Sequence, residues 1–220
     1  MPSAQPTHQS RTRILDAALR VIRAHGYAAT TIDDLCGAAG LSKGAFFHHF
    51  ASKEDLALAA ATHFQAMAQR IFAAAPFRLQ PDPLDRVLGY VAFRKQLLRG
   101  ELPDYTCLLG TLVQESYATH PAIREACNAQ ITSHAAAVAA DIQAAIERHA
   151  PHATWTAMSL ALHTQAVIQG AFVLAKARNG PALAADSLDH LQHYIRLLFA
   201  SASQPAASPP RPPTHARNAP

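Results

Sequence analysis

The sequence predicts an all-α protein made of a compact N-terminal three-helix unit and a larger helical body. Three observations carry this. Alanine, the residue that loses least on entering a helix, is the commonest in the chain. Apolar residues recur at three- and four-residue spacing, and no segment sustains the alternation of a half-buried strand. Glycine, proline, serine and threonine fall where such helices would start and stop. With 220 residues, 50% of them hydrophobic and 15% charged, the chain can fill a core in one or two domains and is neither disordered throughout nor collagen-like.

Residues 1–10 are polar, carry two prolines and read as a flexible arm. Ile14, Leu15, Ala18, Leu19 and Ile22 then share one helical face, and Gly26 supplies the stop. Thr30 or Thr31 can cap a second helix through Ile32, Leu35 and Cys36, with Asp33 and Asp34 suiting its N-terminal turn. Gly40 turns the chain and Ser42 can cap a third helix bearing Phe46 and Phe47. Ser52 with Asp55 forms a capping box that opens a fourth helix running to about Ala74. Pro76, Pro81 and Pro83 break the pattern. Beyond them, Leu84–Arg99, Tyr105–Thr119, Ala122–His149, Ala153–Arg178 and Ala184–Ala200 read as helices. The proline-rich stretch Ser201–Pro220 has no acidic residue and reads as a disordered tail. The expected division is therefore 1–10, 11–56, 57–200 and 201–220.

The net charge of +4 permits nucleic-acid binding without demonstrating it, because the acidic and basic residues of the first sixty positions nearly cancel and Arg211 and Arg217 lie in the tail. Cys36, Cys107 and Cys127 are too sparse for a disulfide scaffold. The 13 histidines form no HExxH or Cys/His cluster, so no metal and no cofactor is expected. A P-loop, a dinucleotide-binding glycine pattern and a serine-nucleophile elbow are all missing, and no enzyme reaction is expected. No uninterrupted charge-free apolar run of membrane-spanning length occurs, and Met1 to Gln9 lacks a signal core, so the expected location is the cytoplasm, at the nucleoid, with no membrane partner.

Thr30 to Leu56, TTIDDLCGAAGLSKGAFFHHFASKEDL, places two short helices about the Gly40 turn and follows them with a cluster of phosphate-contact candidates, the pattern of a helix-turn-helix. Through this segment and the preceding helix, roughly positions 11 to 60, the chain closely resembles the tetracycline-repressor-like (TetR/AcrR) regulator family. The resemblance implies an all-α regulator: an N-terminal helix-turn-helix DNA-binding domain, then a larger helical ligand-binding and dimerisation domain. Its pattern makes Thr31, Ser42, Lys43, His49 and Lys53 candidates for phosphate or groove contacts, and Lys43, Gly44, Ala45 and His48 the candidate reading surface. Phe47 stands where the family often has a tyrosine, so a phosphate-donating hydroxyl is missing there.

The resemblance further implies a homodimer formed by the last two long helices, with Ala161, Thr164, Ile168, Leu191, Tyr194, Ile195 and Leu198 as interface candidates, several of which could instead fill the monomer core. Thr106 to Glu115, TCLLGTLVQE, is similar to a sensor motif in members responsive to electrophiles or oxidants, which makes Cys107 a candidate thiol sensor beside a buried small-residue role. For a noncovalent effector, Phe93, Leu97, Tyr105, Leu109, Leu112, Tyr117, Trp155 and Phe172 are candidate walls. His120, His134, His163 and Gln169 are candidate polar contacts. The expected function is a homodimeric repressor of a palindromic operator, released by a small molecule or a thiol-reactive signal. An activator or dual regulator using the same DNA unit and a helical small-molecule enzyme without specific DNA binding are the alternatives.

Overall fold

The computed structural model describes residues 4–203, with side chains from residue 8 onward, and the expected tail beyond Ser203 lies outside the described residues. Among those residues there are ten α-helices and one 3-10 turn, and no strand.

The first helix, α1 (Ala4–His25), begins inside the expected arm. It buries Ile14, Leu15, Ala18, Leu19 and Ile22 and stops at Gly26, whose φ of 90° is open to glycine without strain. α2 (Ile32–Ala39) starts at a capping box: the Thr31 hydroxyl accepts the Asp34 N–H at 3.1 Å, and the Asp34 carboxylate accepts the Thr31 N–H at 2.8 Å. It ends at the left-handed Gly40, where Leu41 N–H reaches back to Cys36 O. α3 (Lys43–His49) is capped by Ser42. α4 (Lys53–Ala73) is capped by Ser52, while Asp55 accepts the Ala51 N–H at 2.9 Å.

After a 3-10 turn at Pro76–Leu79 come α5 (Pro83–Gln96), α6 (Leu102–Tyr105) and α7 (Leu108–Ser116). The long helices α8 (Pro121–His149), α9 (Ala157–Arg178) and α10 (Ala182–Ala202) complete the chain. The continuous helix expected over Tyr105–Thr119 is thus interrupted. Glu101 and Asp104 cap a one-turn α6, Thr106 takes an extended ψ of 161°, and Cys107 restarts the helix as the N-cap of α7. α9 starts later than expected because Thr156 caps it, accepting the Ser159 N–H at 3.1 Å.

The helices enclose two cores. The larger lies among α5, α8, α9 and α10, with Phe72 of α4 and Phe77 of the 3-10 turn. The smaller holds the N-terminal unit together through Phe46, Phe50, Leu35 and Leu56, and it also takes in Leu108, Leu109 and Leu112 of α7 with Ile123 and Cys127 of α8. A division at residue 57 therefore separates the chain by sequence but not by core. Across that division Arg20 pairs with Glu101 and Asp104, Arg23 donates to Thr106 O, and Glu115 accepts the Ala28 N–H at 2.8 Å.

By length and composition α9 is apolar enough to cross a membrane. Leu160, Ala161, Thr164, Ile168, Ala171, Phe172 and Ala175 on one of its faces are packed inside the protein.

Candidate functional site

Two regions draw the sequence candidates together: the outer face of α2–α3 and a cavity in the helical body. At the first, Ser42 caps α3 and so aims the unpaired amides of its first turn outward. Lys43, Gly44 and His48 are exposed, with Ala45 and His49 partly so. Lys43 Nζ rests on Asp33 at 2.8 Å in a fully solvated pair that yields readily to a phosphate. A Cβ on Gly44 would meet nothing closer than Ser42 Oγ at 3.7 Å, so packing within the chain does not require glycine there. Phe46 and Phe50 hold the helix from beneath, and Phe47, 55% exposed, lies on the outer face.

Three candidates have structural work as well. Thr31 is committed to its capping box. His49 approaches Ser10 Oγ of α1 at 2.6 Å, and burial, His48 and Arg11 lower its pKa. Lys53 departs most from expectation. Its ammonium donates to Tyr27 O and Thr30 O, each at 3.0 Å, and lies over the Tyr27 ring at 4.5 Å. Lys53 thereby ties the loop before α2 to the start of α4, a structural role beside the phosphate contact expected of it.

The cavity occupies about 750 Å³ counting its open mouth, between α4, α5, α8, α9 and the α6–α7 junction. Of the candidate walls, Tyr105, Leu109, His134 and Phe172 line it, as does Gln169. The others do not. Phe93 packs on Phe72 and Phe77, Leu97 packs against the larger core, and Leu112 is sealed in the smaller one. Trp155 packs on Phe199, Tyr117 and His163 are exposed, and His120 sits edge-on to Tyr27. Phe64, Gln65, Gln69, Phe72, Arg94, Gln130 and Gln165 are among the other lining residues. The four-residue spacings Gln65/Gln69, Gln130/His134 and Gln165/Gln169 put polar groups on single helical faces, a signal in the sequence that would have found them.

Tyr90 organises the polar end. Its hydroxyl accepts from Arg94 Nε at 3.1 Å and Gln165 Nε2 at 3.0 Å, so its own proton goes to His134 Nε2 at 2.9 Å. Arg94 Nη2 faces the same nitrogen at 3.3 Å, which requires Nε2 to be an acceptor and leaves the imidazole proton on Nδ1. Burial, then Arg94 and Arg78, push the His134 pKa down to about 4.

Cys107 is half-buried in the cavity wall, its Sγ accepting the Gly110 N–H at 3.5 Å, with the Arg23 and Lys176 cations in its field. Cys127 is fully buried, which drives its thiol pKa up to about 12. Among the described residues no group of three or more His, Cys, Asp or Glu side chains is placed to hold a metal.

Five of the seven interface candidates, Ala161, Thr164, Ile168, Leu191 and Ile195, are buried in the monomer's own core. Leu198 is half-buried and Tyr194 is exposed. The outward faces of α9 and α10 instead carry Met158, Leu162, Val173, Leu174, Tyr194 and Leu197. α9 is apolar on both sides, so periodicity did not distinguish its inner from its outer face.

A helix-turn-helix unit sharing a core with a cavity-bearing helical body defines a regulator that reads DNA. Residues 14–60 match the family of bacterial regulatory proteins called tetR, and residues 83–191 match the tetracyclin repressor-like C-terminal domain. The chain belongs to the TetR family of transcriptional regulators.

Among curated relatives, it is 49% identical over 57 residues to the HTH-type transcriptional repressor AcnR of Corynebacterium glutamicum, covering 26% of this chain and 30% of that one. It is 29% identical over 114 residues to the transcriptional regulator AcuR of Cereibacter sphaeroides, covering 52% and 51%. The matches span less than two thirds of these relatives' own lengths. A TetR transcriptional regulator from Chloroflexus aurantiacus has a similar structure, with a TM-score of 0.77 and 27% identity over 87% of this chain and 96% of that one. The reduced form of NemR from E. coli shares the fold, with a TM-score of 0.70 and 20% identity over 84% and 96%.

The depressed His134 pKa has a testable consequence. Between pH 6.5 and about 4 the unfolded chain takes up a proton that the folded chain refuses, so this residue's contribution to stability is present above that window and lost as pH falls through it. Its full size is about 3 kcal/mol. Urea unfolding across the window should show a steeper loss for wild type than for His134→Gln; equal slopes would refute the assignment.

Proposed function

We propose that this protein is a homodimeric transcriptional repressor. Its α3 helices enter successive major grooves of a palindromic operator in the cytoplasmic nucleoid, and a small molecule in the cavity releases it. The observation that carries the reading is the first turn of α3: Ser42, Lys43 and Gly44 stand outward, and Gly44 has no packing reason to be glycine. A missing side chain there lets the backbone approach DNA closely, while Lys43 and the free amides face phosphate. Thr31, Ala45, His48 and His49 flank this surface.

Release follows from α7. Its Cys107, Leu109 and Gly110 end borders the cavity region, its Leu108 and Leu112 pack with α1–α4, and Glu115 holds the Ala28 amide. A ligand that favours a different seat for α7 shifts the DNA unit with it; equal affinity for both seats would shift nothing. Cys107 on this same wall is also where an electrophile or oxidant would act.

The dimer is supported by the apolar outward strip Met158, Leu162, Val173, Leu174, Tyr194 and Leu197, with Gly170 leaving room for a neighbouring helix. Leu162→Glu with Leu174→Glu places two charges in it. Sedimentation should then find monomers where wild type is dimeric, and an unchanged dimer would exclude this face.

Once genome-wide mapping has supplied an operator, Lys43→Ala and Gly44→Val should each weaken binding about tenfold or more with unfolding unchanged, and Lys43→Ala should reduce the salt slope by about one. Lys53→Ala should instead lower thermal stability. Wild-type operator affinity in both α3 variants would refute the reading surface.

A further inference from the structure

We infer that the cavity selects a small aromatic carboxylate carrying a ring hydroxyl, bound with its carboxylate on Arg94 and its hydroxyl on Gln130. This rests on the reading of the cavity as the effector site and concerns only what that site accepts.

Arg94 reaches a space lined by no aspartate or glutamate, and no carboxylate among the described residues pairs with it. Its partners there are neutral: the Tyr90 hydroxyl and the deprotonated face of His134. The guanidinium stacks over the Phe72 ring at 4.6 Å, which fixes its plane, and only Nε and one Nη2 hydrogen are taken, so Nη1 keeps both of its donors. A partly buried cation with unused donors is matched by a carboxylate, which takes such a fork through two oxygens. Elsewhere in the body the arginines and lysines near carboxylates are paired, as Arg78 and Arg86 are with Asp141 and Lys95 is with Asp189.

A second polar group points the same way. Gln130 Oε1 is buried without a hydrogen-bond partner. An unsatisfied buried acceptor calls for a donor, and Gln130 is among the residues that line the cavity. Gln130 lies one turn before His134 on α8, and both line the cavity with Arg94. Between them the walls are Phe64, Phe72, Tyr105 and Phe172 with Leu109 and Ile131, suited to a flat ring. The neutrality of His134 above about pH 4 keeps the cavity at a single positive charge, the complement of a monoanion.

Calorimetric titration of the full chain with para-hydroxybenzoate, benzoate and methyl para-hydroxybenzoate tests this. The free acid should bind about tenfold or more tightly than its methyl ester, which keeps the ring and hydroxyl but removes the charge. Arg94→Gln should abolish that preference while leaving ester affinity nearly unchanged. Gln130→Leu should erase the advantage of para-hydroxybenzoate over benzoate, and Ala137→Trp, at the lining, should block all three ligands. The acid-against-ester comparison uses wild type alone and so survives misfolding of any variant. Ester binding equal to acid binding overturns the inference and leaves the cavity an effector site. Binding of none of the three to wild type overturns the inference and counts against the effector-site reading as well.

Discussion

The packing of α7 into the smaller core is the constraint on which the rest of the structure depends. Leu108 and Leu112 are fully buried against the helices of the DNA unit, so α7 and α1–α4 exclude water from one another and move together at low cost only as a body. The same nine-residue helix starts at a cavity residue, Cys107, and ends at Glu115, which satisfies the Ala28 amide in the turn after α1. Close fit holds its other side: a Cβ on Gly110 would collide with Gln169 of α9. A helix held on both sides couples the cavity wall mechanically to the core of the DNA unit, the link on which the proposed release depends.

Electrostatics divides the labour among the basic residues. Arg13, Arg23 and Lys53 donate to backbone carbonyls, of Ala39, of Thr106 and of the loop before α2, while Arg20 pairs on the surface with Glu101 and Asp104. Lys43 remains on the outer face with only a solvated partner. The modest net charge is therefore compatible with DNA binding, because a few outward donors at a fixed angle matter more than the total. In the body the reverse holds: Arg94 is drawn inward onto Tyr90 and His134, and that network sets the character of the cavity.

Local chemistry was legible in the sequence wherever one residue decides the outcome. The Thr31, Ser42 and Ser52 caps, the Gly26 and Gly40 stops and the proline break all stand where backbone geometry demands them. The outer face of α3 was legible for the same reason. Packing between distant helices was not. Lys53 carries the same charge whether it faces phosphate or carbonyls, and only the fold brings Tyr27 and Thr30 to it. Five of the seven interface candidates turned out to face the core because α9 is apolar on both sides. Half of the expected cavity walls went into solid core, since an aromatic side chain serves either role. The interruption at Thr106 and Cys107 escaped because neither glycine nor proline marks it, whereas the Glu101–Asp104 cap closes a separate turn.

Hydrogen exchange of Leu112→Ala against wild type tests the shared core most directly. Leu112 lies outside the helix-turn-helix, yet removing its side chain opens a void against α1 and α4. The expected result is faster amide exchange throughout α1 and α4 as well as in α7 and the start of α8. Exchange that quickens in α7 and α8 alone, with the DNA unit protected as in wild type, would contradict a core common to the two.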